Sequence, residues 1–501
     1  MATEVIAPAT AGRSSRAVLA RSISVLVGGQ LVTWTATLAW TLVVPRRLGP
    51  AEVGIYTLGQ ASAGIVLVAV GLGMRPLLVR EIAADRTRGP HLIGTAIVLR
   101  ALLALPAMAI VILLARFGPF SGDEALAIVL GGSMCLFFVV SEPIISALQA
   151  IEKMRYLAYA ATLSSIVNSV GSIAFVTLGV RADGLLLANL IMTAVVALLC
   201  LVWVREHFRI DWRVTLNGLR SLLVESLPYW SGAAFFTLYL WIDSVMLGIM
   251  TPSTVLGWYG LPTRLFGTLM VVPVILTTAW LPQLTHAFQH GTGSLYRAAR
   301  QPMELVLILS MPVCVGTVLI SEPLVRALYG PGFAGSIPVL AILALCVPPM
   351  YLNIMANQVM IARKRQMTWT KVMVTASIIN PALNLVLIPH FQRSNGNGAI
   401  GASVSMVITE VILAGVGAVL VRRAFSSSSI LRVLKAGAAT AGMAIAVIMA
   451  LRVGLVAGVV AGTVTFPLLA LLLGVLSEEE LGQLLAAVSR IRRGGRVESG
   501  E

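Results

Sequence analysis

Runs of about twenty apolar residues, each long enough for one helical crossing of a bilayer, recur along almost the whole chain. Short basic segments separate them. The runs fall at 22–44, 53–73, 92–114, 125–147, 157–179, 184–204, 223–249, 254–280, 303–321, 335–361, 368–389, 397–421, 434–452 and 454–475. In hydrocarbon every backbone polar group must be satisfied within its own segment, so such runs fold as helices. Composition agrees. Charged residues make up 11% of the 501-residue chain, against about 25% in soluble domains, and hydrophobic residues make up 58%. The fold class expected is an all-α polytopic membrane protein of about fourteen transmembrane helices.

The net charge of +15 does not point to nucleic acid, because the cations sit in loops and read as topology signals. With the N-terminus in the cytoplasm, Arg13, Arg16 and Arg21 lie inside. So do the groups at Arg75–Arg88, Lys153–Arg155, Arg205–Arg220, Arg297–Arg300, Arg363–Lys371, Arg422–Lys435 and Arg490–Arg496. The outer loops hold Arg46, Arg47, Arg116, Arg181, Arg326, Arg393 and Arg452. A missed span would scramble this alternation, so an even number of spans with both termini inside is expected, in a cell inner (plasma) membrane. The polar, basic start lacks the apolar core and cleavage site of a signal peptide. After Val475, Ser477 and Glu480 fit a capping box, and Leu481, Leu484, Leu485, Val488 and Ile491 recur at helical spacing, which predicts a short amphipathic helix on the inner surface. Cys135, Cys200, Cys314 and Cys346 each lie in an apolar run and read as small core residues.

An internal duplication relates the halves. Val53-Gly54-Ile55-Tyr56 resembles Leu256-Gly257-Trp258-Tyr259, and Ser165-Ile166-Val167-Asn168 resembles Ser377-Ile378-Ile379-Asn380. At the second shift Ala150 and Lys153 match Ala362 and Arg365, and Gly184 aligns with Gly398 after a short insertion. The repeat is six helices, so the two bundles keep the same membrane orientation, a recurring transporter plan. The expected organisation is a cytoplasmic tail 1–21, a six-helix bundle 22–204, a cytoplasmic linker 205–222, a second bundle 223–421, two added helices 434–475 and a cytoplasmic tail 476–501.

Chemistry-bearing motifs are absent. No Gly-rich loop ends in Lys-Ser or Lys-Thr, and no His-Glu-x-x-His occurs. His286 and His290 read as surface histidines. No enzyme activity, cofactor or metal site is expected. The informative residues are charges inside spans, which face a protein interior or a wet cavity: Arg100 in the third, Asp243 in the seventh, Arg264 in the eighth and Glu410 in the twelfth. Arg100 has no carboxylate nearby in sequence and reads as a cavity residue for an anionic group. Asp243 and Arg264 flank a tight hairpin, so either an ion pair or a cavity pair fits. Asp243 or Glu410 would serve as counter-charge or as the site of a coupling monovalent cation or proton. Glu142, Glu225 and Glu304 lie near inner span ends and read as interfacial residues or caps to positive loop charge, with a direct role as the lesser alternative. Tyr56, Trp258 and Tyr259 read as members of the interfacial aromatic belt, with sugar stacking as the alternative. Pro228, Pro262 and Pro381 fit either hinges or static kinks.

Several ordered motifs resemble those of the bacterial polysaccharide (O-antigen and exopolysaccharide, Wzx-like) flippases. Arg47-Leu48-Gly49-Pro50-Ala51-Glu52-Val53-Gly54-Ile55-Tyr56 looks like their first outer loop. Ala147-Leu148-Gln149-Ala150 with Lys153 and Tyr156, and Ser226-Leu227-Pro228-Tyr229, look like their inner-loop markers. Asp243-Ser244-Val245-Met246-Leu247-Gly248 leading to Gly257-Trp258-Tyr259 resembles their seventh–eighth hairpin, and Leu328-Tyr329-Gly330-Pro331-Gly332-Phe333 the loop before their tenth helix. That family belongs to a superfamily with the multidrug and toxin extruders and the lipid II flippases. The resemblance implies two six-helix bundles plus two helices, and inner-to-outer transfer of a polyprenyl-diphosphate-linked oligosaccharide by alternating access. It implies Arg100 and Arg264 as contacts for diphosphate or acidic sugars, membrane lipids as surroundings, and a polymerase and glycosyltransferases as partners. The rivals are a multidrug or organic-cation antiporter of the same fold and a non-transport membrane scaffold.

Overall fold

The computed structural model describes the backbone of residues 11–475, and side chains from Thr35 on except 231–233, 278–279 and 427. The expected amphipathic helix after Val475 and the start of the N-terminal tail lie outside the described residues.

Helix α1 (Ala11–Gly71) carries the first two expected spans, interrupted at Gly49 by a backbone of φ 78°, which glycine adopts without a Cβ penalty. A second break, at Leu72 and Gly73 with φ of 48° and 58°, leads into α2 (Met74–Ala84), in a stretch that hydropathy reads as loop. α2 is amphipathic: Met74, Leu77, Leu78 and Ile82 are buried while Arg75 and Arg80 are exposed. α3 (Gly89–Phe117) starts with Pro90 in its first turn, where no N–H is needed. α4 (Gly122–Ser133) opens with the Ser121–Glu124 capping box, and α5 (Cys135–Ala150) completes the fourth expected span. α6 (Met154–Thr177) and α7 (Ala182–Arg205) are the fifth and sixth.

α8 (Leu216–Met250) is N-capped by the Thr215 hydroxyl. α9 (Ser253–Leu269) and the start of α10 (Val271–Gln289) form the eighth expected span. α11 (Thr292–Tyr329) outruns its predicted span at both ends. α12 (Ser336–Ala344) and α13 (Val347–Ala362) share one span, bent by 44°. α14 (Gln366–Asn395), α15 (Gly398–Val421), α16 (Ser427–Leu451) and α17 (Leu455–Leu472) follow. Among the described residues, eleven helices are long and apolar enough to cross a membrane, or up to thirteen when each of two bent pairs counts as one span. Side chains such as Leu105 and Leu198 stand exposed, as lipid-facing residues do. The chain is a multi-pass, all-helical membrane protein, and its four cysteines are buried and free.

The duplication is written into local geometry. After α5, Glu152 takes a left-handed backbone (φ 61°) and Lys153 N donates to Leu148 O. After α13, Lys364 does the same (φ 59°) and Arg365 N donates to Met360 O. Left-handed non-glycine residues are uncommon, and two of them stand at repeat-matched positions. Helix ends recur in step: Phe117 with Tyr329, Ala150 with Ala362, and the starts Met154 with Gln366.

Two compact units emerge. The first comprises the chain to Gly260 with Leu328–Phe333 and Ser377–Ala399. Its core includes Ala61, Val70, Ile93, Ala96, Ile144, Leu148 and Leu185. The second comprises Leu261–Ala327, Ala334–Ala376 and the chain from Ile400. There, Ile308 of α11 packs with Ala436, Ala439, Met443 and Val447 of α16 and Phe466 and Ala470 of α17. Polar contacts join the same three segments. Glu304 of α11, expected near the interface, is 3% exposed and accepts from Ser429 and Arg432, and Arg432 also donates to Val475 O. Hydropathy places Glu304 near a span end; packing of α16 over that end is what buries it.

Candidate functional site

The resembling motifs meet in space within the first unit. Around the motif at Arg47–Tyr56, Arg46 Nε donates to Leu328 O at 2.9 Å and Trp258 Nε1 to Gly332 O at 3.1 Å. Glu52 Oε2 accepts from Ala182 N. At the centre the repeat-matched glycines touch. A Cβ on Gly54 would stand 1.8 Å from Ser253 O, and one on Gly257 would stand 1.9 Å from Pro50 O. Because Pro50 matches Ser253 at the same shift, the contact is reciprocal, as at a two-fold axis. The markers expected at the inner side also find partners. Arg75 donates to Gln149, Arg80 to the Tyr229 hydroxyl, and Tyr156 to Glu206. Glu81 accepts from Arg80 and Arg88, and the Arg80 hydrogen bond, ahead of the neighbouring positive charges, holds its carboxyl below the usual range.

Arg100 of α3 is 1% exposed and forms an ion pair with Glu142 of α5, whose side chain is 31% exposed. Glu142 is therefore the partner that the neighbouring sequence does not offer. Both groups pack on the bare Cα of Gly71, where a Cβ would lie 3.4 Å from Arg100 Nη2. Arg100 Nε is buried without a hydrogen-bond acceptor.

Asp243 of α8, 3% exposed, sits in a separate network of the same unit. Its Oδ2 accepts from the Tyr259 hydroxyl at 2.7 Å and its Oδ1 from Asn384 Nδ2 at 2.6 Å; Asn384 Nδ2 also reaches Asn380 Oδ1. Neutral donors hold this carboxylate. Arg264, the ion-pair partner considered for Asp243, follows Tyr259 by five residues on α9, about 140° further round the helix. Tyr259 and its repeat mate Tyr56 are 3% and 2% exposed, so neither belongs to an interfacial aromatic belt. Tyr56 packs on Trp40 and bonds Gln60 and Asn189. Trp40 stands where the second repeat has Asp243, so the carboxylate is a departure from the repeat pattern.

In the second unit, Arg264 is exposed on α9. Glu410 of α15 is 3% exposed and accepts from Asn353 Nδ2 at 2.8 Å. His286 and His290 are exposed, as expected. No group of three or more His, Cys, Asp or Glu side chains arranged to hold a metal ion occurs among the described residues.

Comparison with known proteins places this arrangement. The chain is 22% identical to the probable low-salt glycan biosynthesis flippase Agl15 of Haloferax volcanii over 73% of this chain and 75% of that protein. It is 23% identical to the probable flippase AglR of the same organism over 81% and 83%. Among solved structures, the lipid II flippase MurJ in an inward closed conformation superposes with a TM-score of 0.73 at 12% identity, over 89% of this chain and 98% of that one. An inward-facing multidrug resistance MATE family transporter of the MOP superfamily gives 0.63 at 18% identity, over 78% and 94%. These likenesses establish the fold. The model of the polysaccharide biosynthesis protein family matches residues 19–288, more than half of the sequence, and the chain belongs to that family.

Proposed function

We propose that this chain is a flippase that moves a polyprenyl-diphosphate-linked oligosaccharide from the inner to the outer leaflet of a cytoplasmic membrane for cell-surface polysaccharide synthesis. A charged, sugar-bearing headgroup cannot cross about 30 Å of hydrocarbon unaided. The observation that carries the reading is a buried guanidinium, Arg100, within a family of polysaccharide biosynthesis proteins whose curated relatives are named as flippases. Charges within spans are expensive and mark substrate or ion paths. Arg100 would contact the diphosphate or an acidic sugar, and Arg264 would serve the same cargo.

The organisation proposed is two similarly oriented six-helix bundles, 22–204 and 223–421, joined by 205–222 and extended by 434–475, working by alternating access with both termini cytoplasmic. The matched turns after α5 and α13 support the repeat. Glycosyltransferases that build the cargo and a polymerase that consumes it would be functional partners.

Asp243 is the candidate coupling site. One buried carboxylate beside the side-chain amides of Asn380 and Asn384 suits a monovalent cation or a proton, not a divalent ion, which takes more carboxylate ligands. Asn384 Oδ1 is buried without a hydrogen-bond partner, an oxygen open to such an ion. Asp243→Asn is expected to lower export at least about tenfold, in the range of site coupling, and to remove its dependence on the ion gradient. Export that keeps its full gradient dependence would reject the assignment.

The two buried carboxylates Asp243 and Glu410 favour, as a second reading, an organic-cation antiporter of the same fold. One experiment separates the two. In a strain lacking the gene, Arg100→Ala with Arg264→Ala should abolish surface glycan while the protein stays in the membrane. Normal glycan with altered drug tolerance would select the antiporter.

A further inference from the structure

We propose that Glu142 is an exchangeable counter-ion: it occupies Arg100 while the carrier is empty and gives way to the anionic group of the cargo. This rests on the reading of Arg100 as an anion contact. A guanidinium left alone in a low-dielectric interior is strongly destabilising, yet a carrier must return without cargo. An internal carboxylate solves this, since the empty pair is neutral.

The geometry fits exchange better than a permanent structural pair. The two partners differ in burial: Arg100 is 1% exposed, whereas the Glu142 side chain is 31% exposed and has an open side to move into. Gly71 leaves no side chain over the pair, and a Cβ there would come within 3.4 Å of Arg100 Nη2 and 3.9 Å of Glu142 Oε2. An incoming phosphoryl oxygen therefore meets bare backbone beside the guanidinium. Glu142 is held through Arg100 Nη2, while Nε, another of the five donors of an arginine, is buried without an acceptor. A diphosphate can take two donors of the planar fork at once; the carboxylate seen here uses one face of it. No bond is made or broken, and only ion pairs are exchanged. The exchange would also sort cargo, because a neutral headgroup cannot displace a carboxylate.

The test uses the full-length purified protein and farnesyl diphosphate as the probe. Glu142→Gln keeps the shape and removes the competing charge, so it should bind the probe about tenfold more tightly than the parent, a typical coupling between sites. In cells it should export less glycan, because the empty carrier would now hold an uncompensated Arg100. Arg100→Gln should lose the binding. Glu142→Gln should melt below the parent, as a stranded guanidinium requires, and rise toward it when the probe is added; a cooperative melting transition in both variants establishes that they fold, and Glu142→Asp supplies a conservative variant that should restore parental affinity. Unchanged or weaker binding by Glu142→Gln, with Arg100→Gln still inactive, would overturn the exchange and leave Arg100 as the anion contact. Full binding by Arg100→Gln would sink the reading of Arg100 itself.

Discussion

Alanine at Gly54 or at Gly257 is expected to destabilise the protein by about 3 kcal/mol, the upper part of the usual range for overpacking, and to stop glycan export. Ordinary Cβ contacts begin near 3.4 Å, but here the new methyl would stand 1.8 Å from Ser253 O or 1.9 Å from Pro50 O. The obstructing atoms are backbone, so no side chain can rotate away. The first turns of α9 and the part of α1 after Gly49 would have to separate, and the bonds Trp258 to Gly332 and Arg46 to Leu328 would go with them. Because the contact is reciprocal, the double variant should cost less than the sum of the singles: once one methyl has forced the helices apart, the second meets free space. Gly171→Ala is the control, with nothing within 4 Å of the added carbon. Denaturation in detergent together with surface glycan measures both effects. Parental stability of Gly54→Ala would show that this crossing is not packed as described.

How much of this was legible in the sequence depended on which physical signal carried it. Spans were, because twenty apolar residues have few other fates. The repeat was, through short matches such as Gly54 with Gly257, although only coordinates reveal that the matched glycines press on one another. Helix rotation was not legible. In lipid, the outward face of a helix is as apolar as the inward one, so hydropathy does not say where Arg100 points, and its partner Glu142 lies on another helix. The same blindness misplaced Tyr56 and Tyr259, which were assigned to the interface by position along the span and are buried against Trp40 and Asp243. Nor did the sequence show that residues Ser377–Ala399 pack in the first compact unit, since packing partners are set by side-chain shape across helices rather than by order along the chain.

Arg432→Ala should be the most damaging change in the C-terminal helices, by about 3 kcal/mol or more, since removing one partner of a buried pair strands the other. Glu304 is only 4% exposed at its side chain, so it would remain as a buried carboxylate with the Ser429 hydroxyl as donor. Val475 O would lose two donors at once, Nε at 3.0 Å and Nη2 at 2.9 Å. Glu304→Ala should cost less. Arg432 is 24% exposed, its long stem can carry the charge outward, and it keeps Val475. This asymmetry is the discriminating result: equal losses would mean that the attraction itself, not the stranded charge, sets the effect. The double variant should recover part of the loss of Arg432→Ala, because no charge is left behind. α16 and α17 share the apolar core around Ile308 of α11, so loosening this polar tie should expose the segment between α15 and α16 to protease before the helices themselves unfold. Thermal unfolding in detergent, read beside limited proteolysis at residues 422–426, resolves the two events. A single transition with no early cleavage would mean that the apolar seam alone fixes the added helices to α11.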